Sequence, residues 1–166
     1  MRGYITRMTA TVRIQREAFD AAVESARLTR GCSDVGAVVT FTGICRGEET
    51  GKPIASLTLE HYSGMAEAEI EGHVAQARSR WPLAGVTVIH RTGRITPGED
   101  IVLVVTASAH RDAAFAAAEF LMDYLKTRAP FWKQVELSDG KIWVEAKSAD
   151  DVAAARWNAP GRTAAE

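Results

Sequence analysis

Residues 101–133 read IVLVVTASAHRDAAFAAAEFLMDYLKTRAPFWK, and the run changes character twice. Its first eight residues are apolar on both faces at the start, as a strand covered on both sides of its sheet must be. Phe115, Ala118, Met122 and Leu125 then recur at i, i+3, i+7 and i+10, which predicts a helix from about Asp112 to Thr127 with that stripe in the core. Pro130 cannot continue the helix and holds Ala129 extended, so Arg128 and Lys133 are expected to emerge from a turn. A buried strand running straight into an amphipathic helix sets the centre of the fold.

Working outward, Thr11–Gln15 alternates and is β-branched, a short strand. Phe19, Ala22, Val23 and Ala26 have helical spacing and stop before Gly31. GAVVTFTG (36–43) is a strand bounded by glycine, and the polar run RGEETGKP (46–53) reads as an exposed, mobile loop. IASLTLEHY (54–62) alternates with Ala55, Leu57 and Leu59 on one side. A helix from about Met65 carries Ile70, Val74, Ala77 and Trp81 on one stripe until Pro82 stops it. VTVIHR (86–91) and KIWVE (141–145) are strands, TPGED (96–100) is a turn, and Ser148 caps a short last helix. Strands and helices interleave irregularly, which favours α+β over a doubly wound parallel sheet. One domain over 11–157 is expected, with flexible ends at 1–10 and 158–166.

A chain of 166 residues can hide roughly 70% of its unfolded surface and needs no staples. With 46% hydrophobic and 25% charged residues it is not a disordered composition. The net charge of −1 provides no global attraction to nucleic acid or to an anionic membrane, so anion binding has to be local. Cys32 and Cys45 are far apart, and His61, His73 and His90 form no ligand pair, so neither a metal site nor a cofactor is expected. No apolar run approaches the ~20 residues of a membrane helix, and free thiols suit a reducing compartment; a cytoplasmic protein is expected.

Three stretches carry candidate chemistry. SAHRD (108–112) joins strand to helix, where free N–H groups, His110 and Arg111 could together hold an oxyanion; equally, Ser108 or Asp112 caps the helix and His110 packs. YLKTRAPFWK (124–133) holds Lys126, Arg128 and Lys133 with no acid between Asp123 and Glu136. That combination suits anion capture or an activated amine, although a lysine in a last helical turn is also ordinary helix chemistry. GICRGEETGK (43–52) brings Arg46 to a strand end beside Cys45, whose use as a nucleophile would need a base that the neighbouring sequence lacks.

GAVVTFTG, LTLEHYSGM, RWPLAGVTVIHRTG, PGEDIVLV, SAHRDAAFAAAEFLMDYLKTRAPFWK and WVEA together resemble the large, catalytic subunit of molybdopterin synthase, in register from about Val12 to Trp157. The resemblance implies an α/β hammerhead with an additional antiparallel β subdomain. It implies conversion of cyclic pyranopterin monophosphate (precursor Z) to molybdopterin, with two sulfurs installed as a dithiolene. The sulfur comes as a thiocarboxylate on the C-terminal glycine of a small ubiquitin-like sulfur-carrier subunit. Two large subunits then form a homodimer at the centre of a heterotetramer. This chain closes in TAAE, so the carrier is expected to be a separate polypeptide.

By the same resemblance Lys126 and Lys133 match the family's two active-site lysines, and His110 and Arg111 the pair that binds the substrate's anionic end. Ile44, Cys45 and Arg46 match the segment ending in a pocket arginine, and Gln134 and Val135 continue the substrate-lining stretch. Lys147 stands where the neighbouring large subunit can contribute a basic residue. The chain departs from the family in CRGEETGK and in Gln134–Val135, where an Asp/Asn-His-Asn type of loop and a basic residue with a glutamate are common. Arg46, His110, Arg111 and Lys133 are expected to neutralise two anions that must meet, with carboxylates absent because the substrates bring the negative charge. Lys126 either stays protonated to stabilise oxyanions or acts neutral as base or covalent partner. A phosphometabolite-binding module without chemistry, or a scaffold that only docks a ubiquitin-like partner, are the other classes open to such a basic pocket.

Overall fold

Strand β7, Asp100–Ser108, runs through the middle of the molecule. It lies antiparallel between β5 (Leu83–Arg91) and β2 (Ala37–Ile44), and β1 (Thr9–Gln15) joins the far side of β5 in parallel. The computed structural model describes residues 9–144 and 148–158. Because side chains alternate across a strand, Val104 joins Val86 and Val88 on one face, while Leu103, Val105 and Ala107 join Ile89 on the other. Helices α2 (Met65–Arg80) and α3 (Arg111–Thr127) cover the first face with Ile70, Val74, Phe120 and Leu121. Helix α1 (Ala21–Thr29) covers the second with Leu28. Burial on both sides is why β5 and β7 read as almost unbroken apolar runs.

The second sheet is antiparallel. Strands β3 (Glu48–Glu49), β4 (Lys52–His61), β8 (Phe131–Leu137) and β9 (Gly140–Val144) follow in that order, and β6 (Gly93–Ile95) also pairs with β4. Ile54, Leu57, Leu59, Ile95, Val135 and Leu137 form its core. Helix α4 (Ser148–Ala155) and a 3-10 turn, Arg156–Asn158, return to α3. There Asp123 accepts hydrogen bonds from Arg156 at 2.7 Å and from the Trp157 indole at 2.6 Å. The architecture is the expected α+β one, with an antiparallel β subdomain added to the helix-covered sheet.

Four local expectations are corrected. Phe115 is 62% exposed. Ala118 is buried and Met122 and Leu125 pack against the core as expected, but the buried residues of α3 are Ala113, Ala114, Ala117, Ala118, Phe120, Leu121 and Tyr124, whose small members let the helix sit close to the sheet. In α1 the inward residues are Glu24 and Leu28 rather than Ala22, Val23 and Ala26. Glu24 takes an inner place because Arg13 and Arg27 both pair with it. Ala55 faces solvent because the register shifts between Ile54 and Ser56, which turns Ile54 inward instead.

The run 46–53 is not a mobile loop. Glu49 pairs with Lys52, and the two residues between them, Thr50 and Gly51, have φ of 50° and 79°. Two positive φ values in a two-residue connection make a tight hairpin whose twist matches the strands it joins.

Candidate active site

Helix α3 ends where it does because Pro130 has no N–H to give. The chain turns within three residues: the Arg128 N–H donates to the Tyr124 carbonyl at 2.9 Å, and the Phe131 N–H to that of Ala129 at 2.8 Å. Strand β8 then starts at once, pairing Phe131 with His61 and Lys133 with Leu59. Lys133 therefore stands on a strand and not in a turn. The short connection brings Lys126, in the last turn of α3, and Lys133, the third residue of β8, to one cavity of about 390 Å³.

Arg46 reaches the same cavity from the end of β2, and Ile44, 55% exposed, stands at its side. The remaining wall is apolar, with Phe41, Leu57, Leu59, Met122, Leu125 and Phe131 among its residues. The hollow thus offers apolar surface to a flat body and cations to a negative charge.

Two groups in the cavity were not among the candidates expected there. His90, at the end of β5, is buried, stacks on Phe131 at 4.0 Å and 13°, and donates from Nδ1 to the Arg91 carbonyl at 2.8 Å. Burial pushes its imidazole down to about 4; the bond to Arg91 opposes that, and the charge of Lys126 adds to it. The ring is therefore neutral near pH 7. Glu49 is 5% exposed, and its carboxylate lies 3.2 Å from the Lys133 ammonium and 3.5 Å from the Arg46 guanidinium. The expected absence of carboxylates does not hold: Glu49 and Asp150 both line the hollow. The available signal for Glu49 was the Thr50–Gly51 pair, which as a hairpin turn sets which way its neighbours face.

Residues 14–128 match the family described as MoaE protein. The chain belongs to that family. It is 62% identical over 152 residues to the molybdopterin synthase catalytic subunit of Mesorhizobium japonicum, covering 90% of this chain and 94% of that one. Its fold is similar to the molybdopterin biosynthesis MoaE protein from Burkholderia ambifaria, with a TM-score of 0.78 and 45% identity over 91% of this chain and 99% of that one. A more distant likeness of fold is to the protein–protein complex of subunits 1 and 2 of molybdopterin-converting factor from Helicobacter pylori. There the TM-score is 0.68 and the identity 23%, over 82% of this chain and 92% of that one.

The other candidate residues are placed differently. Cys45 is buried in the core of the second sheet, and its thiol lies 3.6 Å from the Arg46 carbonyl. Burial pushes that thiol up, only partly offset by the charge of Lys133, which disfavours a thiolate nucleophile. Val135 shares the strand face of Lys133 but lies in the core, and Gln134 is on the opposite face.

His110 and Arg111 lie at the start of α3, about 22 Å along the helix axis from Lys126. His110 takes the N-cap position without a side-chain capping bond, and the Arg111 side chain is 83% exposed. Neither lines the cavity of Lys126 and Lys133. Gly36 holds this corner in place: its N–H donates to the Ser108 carbonyl at 3.0 Å, and a Cβ there would stand 2.3 Å from the Ala109 oxygen. Lys147 lies outside the described residues. Among the described residues no cluster of three or more His, Cys, Asp or Glu could hold a metal ion, and no helix is long and apolar enough to cross a membrane.

Proposed function

We infer that this chain is the catalytic subunit of a molybdopterin synthase, a sulfurtransferase. It makes molybdopterin from cyclic pyranopterin monophosphate with sulfur brought as a thiocarboxylate by a small ubiquitin-like subunit, in the reducing cytoplasm. The observation that carries the reading is that Arg46, Lys126 and Lys133, from three separate elements, line one half-apolar cavity in a chain of the MoaE protein family.

The chemistry needs such a cavity. A phosphate and a thiocarboxylate repel each other, and fixed cations lower that repulsion without having to reorganise. Lys133, partnered by Glu49, acts as a permanent cation that holds the substrate's negative end. Lys126 stands nearer the helix end, where it stabilises the oxyanion formed as the carrier's carbonyl gives up its sulfur, or takes up a proton there as a base. The apolar wall, with Phe131 stacked on neutral His90, receives the pterin ring system. Ile44 borders that wall, whereas Cys45, Gln134 and Val135 act through the backbone they hold in place.

His110 and Arg111 act from a second copy of this chain, since about 22 Å of helix separates them from Lys126. Lys147 is the basic residue that, by the family resemblance, the neighbouring copy contributes. The single domain, 11–157, is the unit that pairs, and a carrier subunit docks at each end of the pair.

The test is reconstitution of this chain with a thiocarboxylated carrier and cyclic pyranopterin monophosphate. Dithiolene formation is expected from the unaltered chain. Lys126→Ala, at an exposed position, should fold normally and lose at least about 100-fold in rate. Unchanged turnover in that variant would remove the mechanism.

A further inference from the structure

Two cations of the site, Lys133 and Arg46, are already paired. Glu49 comes from β3, the short first arm of the hairpin whose turn is Thr50–Gly51, and the hairpin aims it at Lys133 across the second sheet. Its side chain is 6% exposed, against 32% for Lys133 and 67% for Arg46. The acid is thus the most buried of the three charges. Anything negative that approaches Lys133 from the cavity meets a cation that already has a partner at 3.2 Å.

We propose that Glu49 is the internal counter-anion of the site, against which the substrate's phosphate must compete for Lys133 and Arg46, and that it thereby selects monoanionic phosphodiesters over dianionic phosphates. The inference rests on the reading of this cavity as the substrate site. A carboxylate that stays close by repels a bound dianion about twice as strongly as a monoanion at the same place. Its burial also keeps the repulsion from being screened as a surface charge would be. The device lowers affinity on purpose: a ligand bound by three unopposed cations would leave slowly, and free cellular phosphates would occupy the site.

The test compares the full chain with Glu49→Gln, which keeps the shape and a hydrogen-bond acceptor for Lys133 but removes the charge. Amide chemical shifts report binding of two probes, inorganic phosphate at pH 8 and cyclic pyranopterin monophosphate. The variant should bind inorganic phosphate about tenfold more tightly and the cyclic monoanion about threefold, the ratio expected of charges of two and one. Equal or weaker binding of both probes in a folded variant would overturn the proposal and leave Glu49 as a group that merely positions Lys133. If the cyclic pterin binds neither protein while phosphate still gains in the variant, the counter-anion stands and the substrate assignment falls. A measurement on the unaltered chain covers the case in which the variant does not fold. The Glu49 carboxyl carbon should shift as phosphate saturates the site, and a carbon that stays put would contradict displacement.

Discussion

Among single residues, His90 shows how the cavity's surroundings govern its chemistry. An unfolded chain takes up the imidazole proton near its ordinary value of 6.5, whereas the folded chain, which buries the ring, does so only at about 4. The unfolded state therefore binds more protons between those values, and stability rises with pH across them. The stability that comes from holding His90 neutral is complete above pH 6.5, falls as pH drops toward 4, and amounts to roughly 3 kcal/mol. Urea unfolding at pH 7 and pH 4.5 should show that loss, and His90→Gln should remove most of it. An equal loss in the variant would place the cause elsewhere. Glu99, held below the usual carboxylate range by hydrogen bonds from Thr96, acts only in the more acidic window below about 4.5. In the sequence His90 is excluded only as a metal ligand, because a lone histidine in VTVIHR carries no spacing signal for any other role. What makes it distinctive is Phe131, which meets it from 41 residues further along the chain.

At the level of elements, periodicity exposed the four α-helices and six of the nine strands among the described residues, missed β3, β6 and β8, and did not always show which side faces inward. In α3 the eye is drawn to Phe115, yet the alanines pack against the sheet, and a methyl group gives little hydrophobic contrast to read. On β8, Phe131, Lys133, Val135 and Leu137 do alternate with Trp132, Gln134 and Glu136. The cluster of proline, rings and cations at the start of that run masked the period and read as a turn. The hairpin at Glu48–Pro53 was hidden by its own polarity, since neither strand arm presents an apolar face. Its turn holds a testable strain. Thr50 is the one non-glycine residue with positive φ among the described residues, and a β-branched side chain resists that conformation. Thr50→Asn should raise stability by about 0.5–1 kcal/mol, as a higher melting temperature, without reducing turnover. A lower melting temperature would mean that the threonine makes a contact worth more than the strain.

For the whole molecule, two sheets divide the labour. The helix-covered sheet fixes α3, and the antiparallel sheet brings β8 and the hairpin to the cavity that the end of that helix also lines. The sequence identified Arg46, Lys126 and Lys133 as candidates, and the fold brings them together. It also grouped them with His110 and Arg111, which one copy of the chain keeps at the opposite end of a 17-residue helix. The expected helix from about Asp112 to Thr127 already puts the two groups at opposite ends, but linear order says nothing about which copy supplies a residue to a site. The account therefore requires two copies to build one site.

Mixing two inactive variants tests that requirement most directly. Lys126→Ala and Arg111→Ala, each almost silent alone in the reconstituted reaction, should recover about a quarter of full activity after their subunits are exchanged, since half the pairs then hold one intact site of two. No recovery in a mixture shown by mass spectrometry to contain mixed pairs would contradict the account.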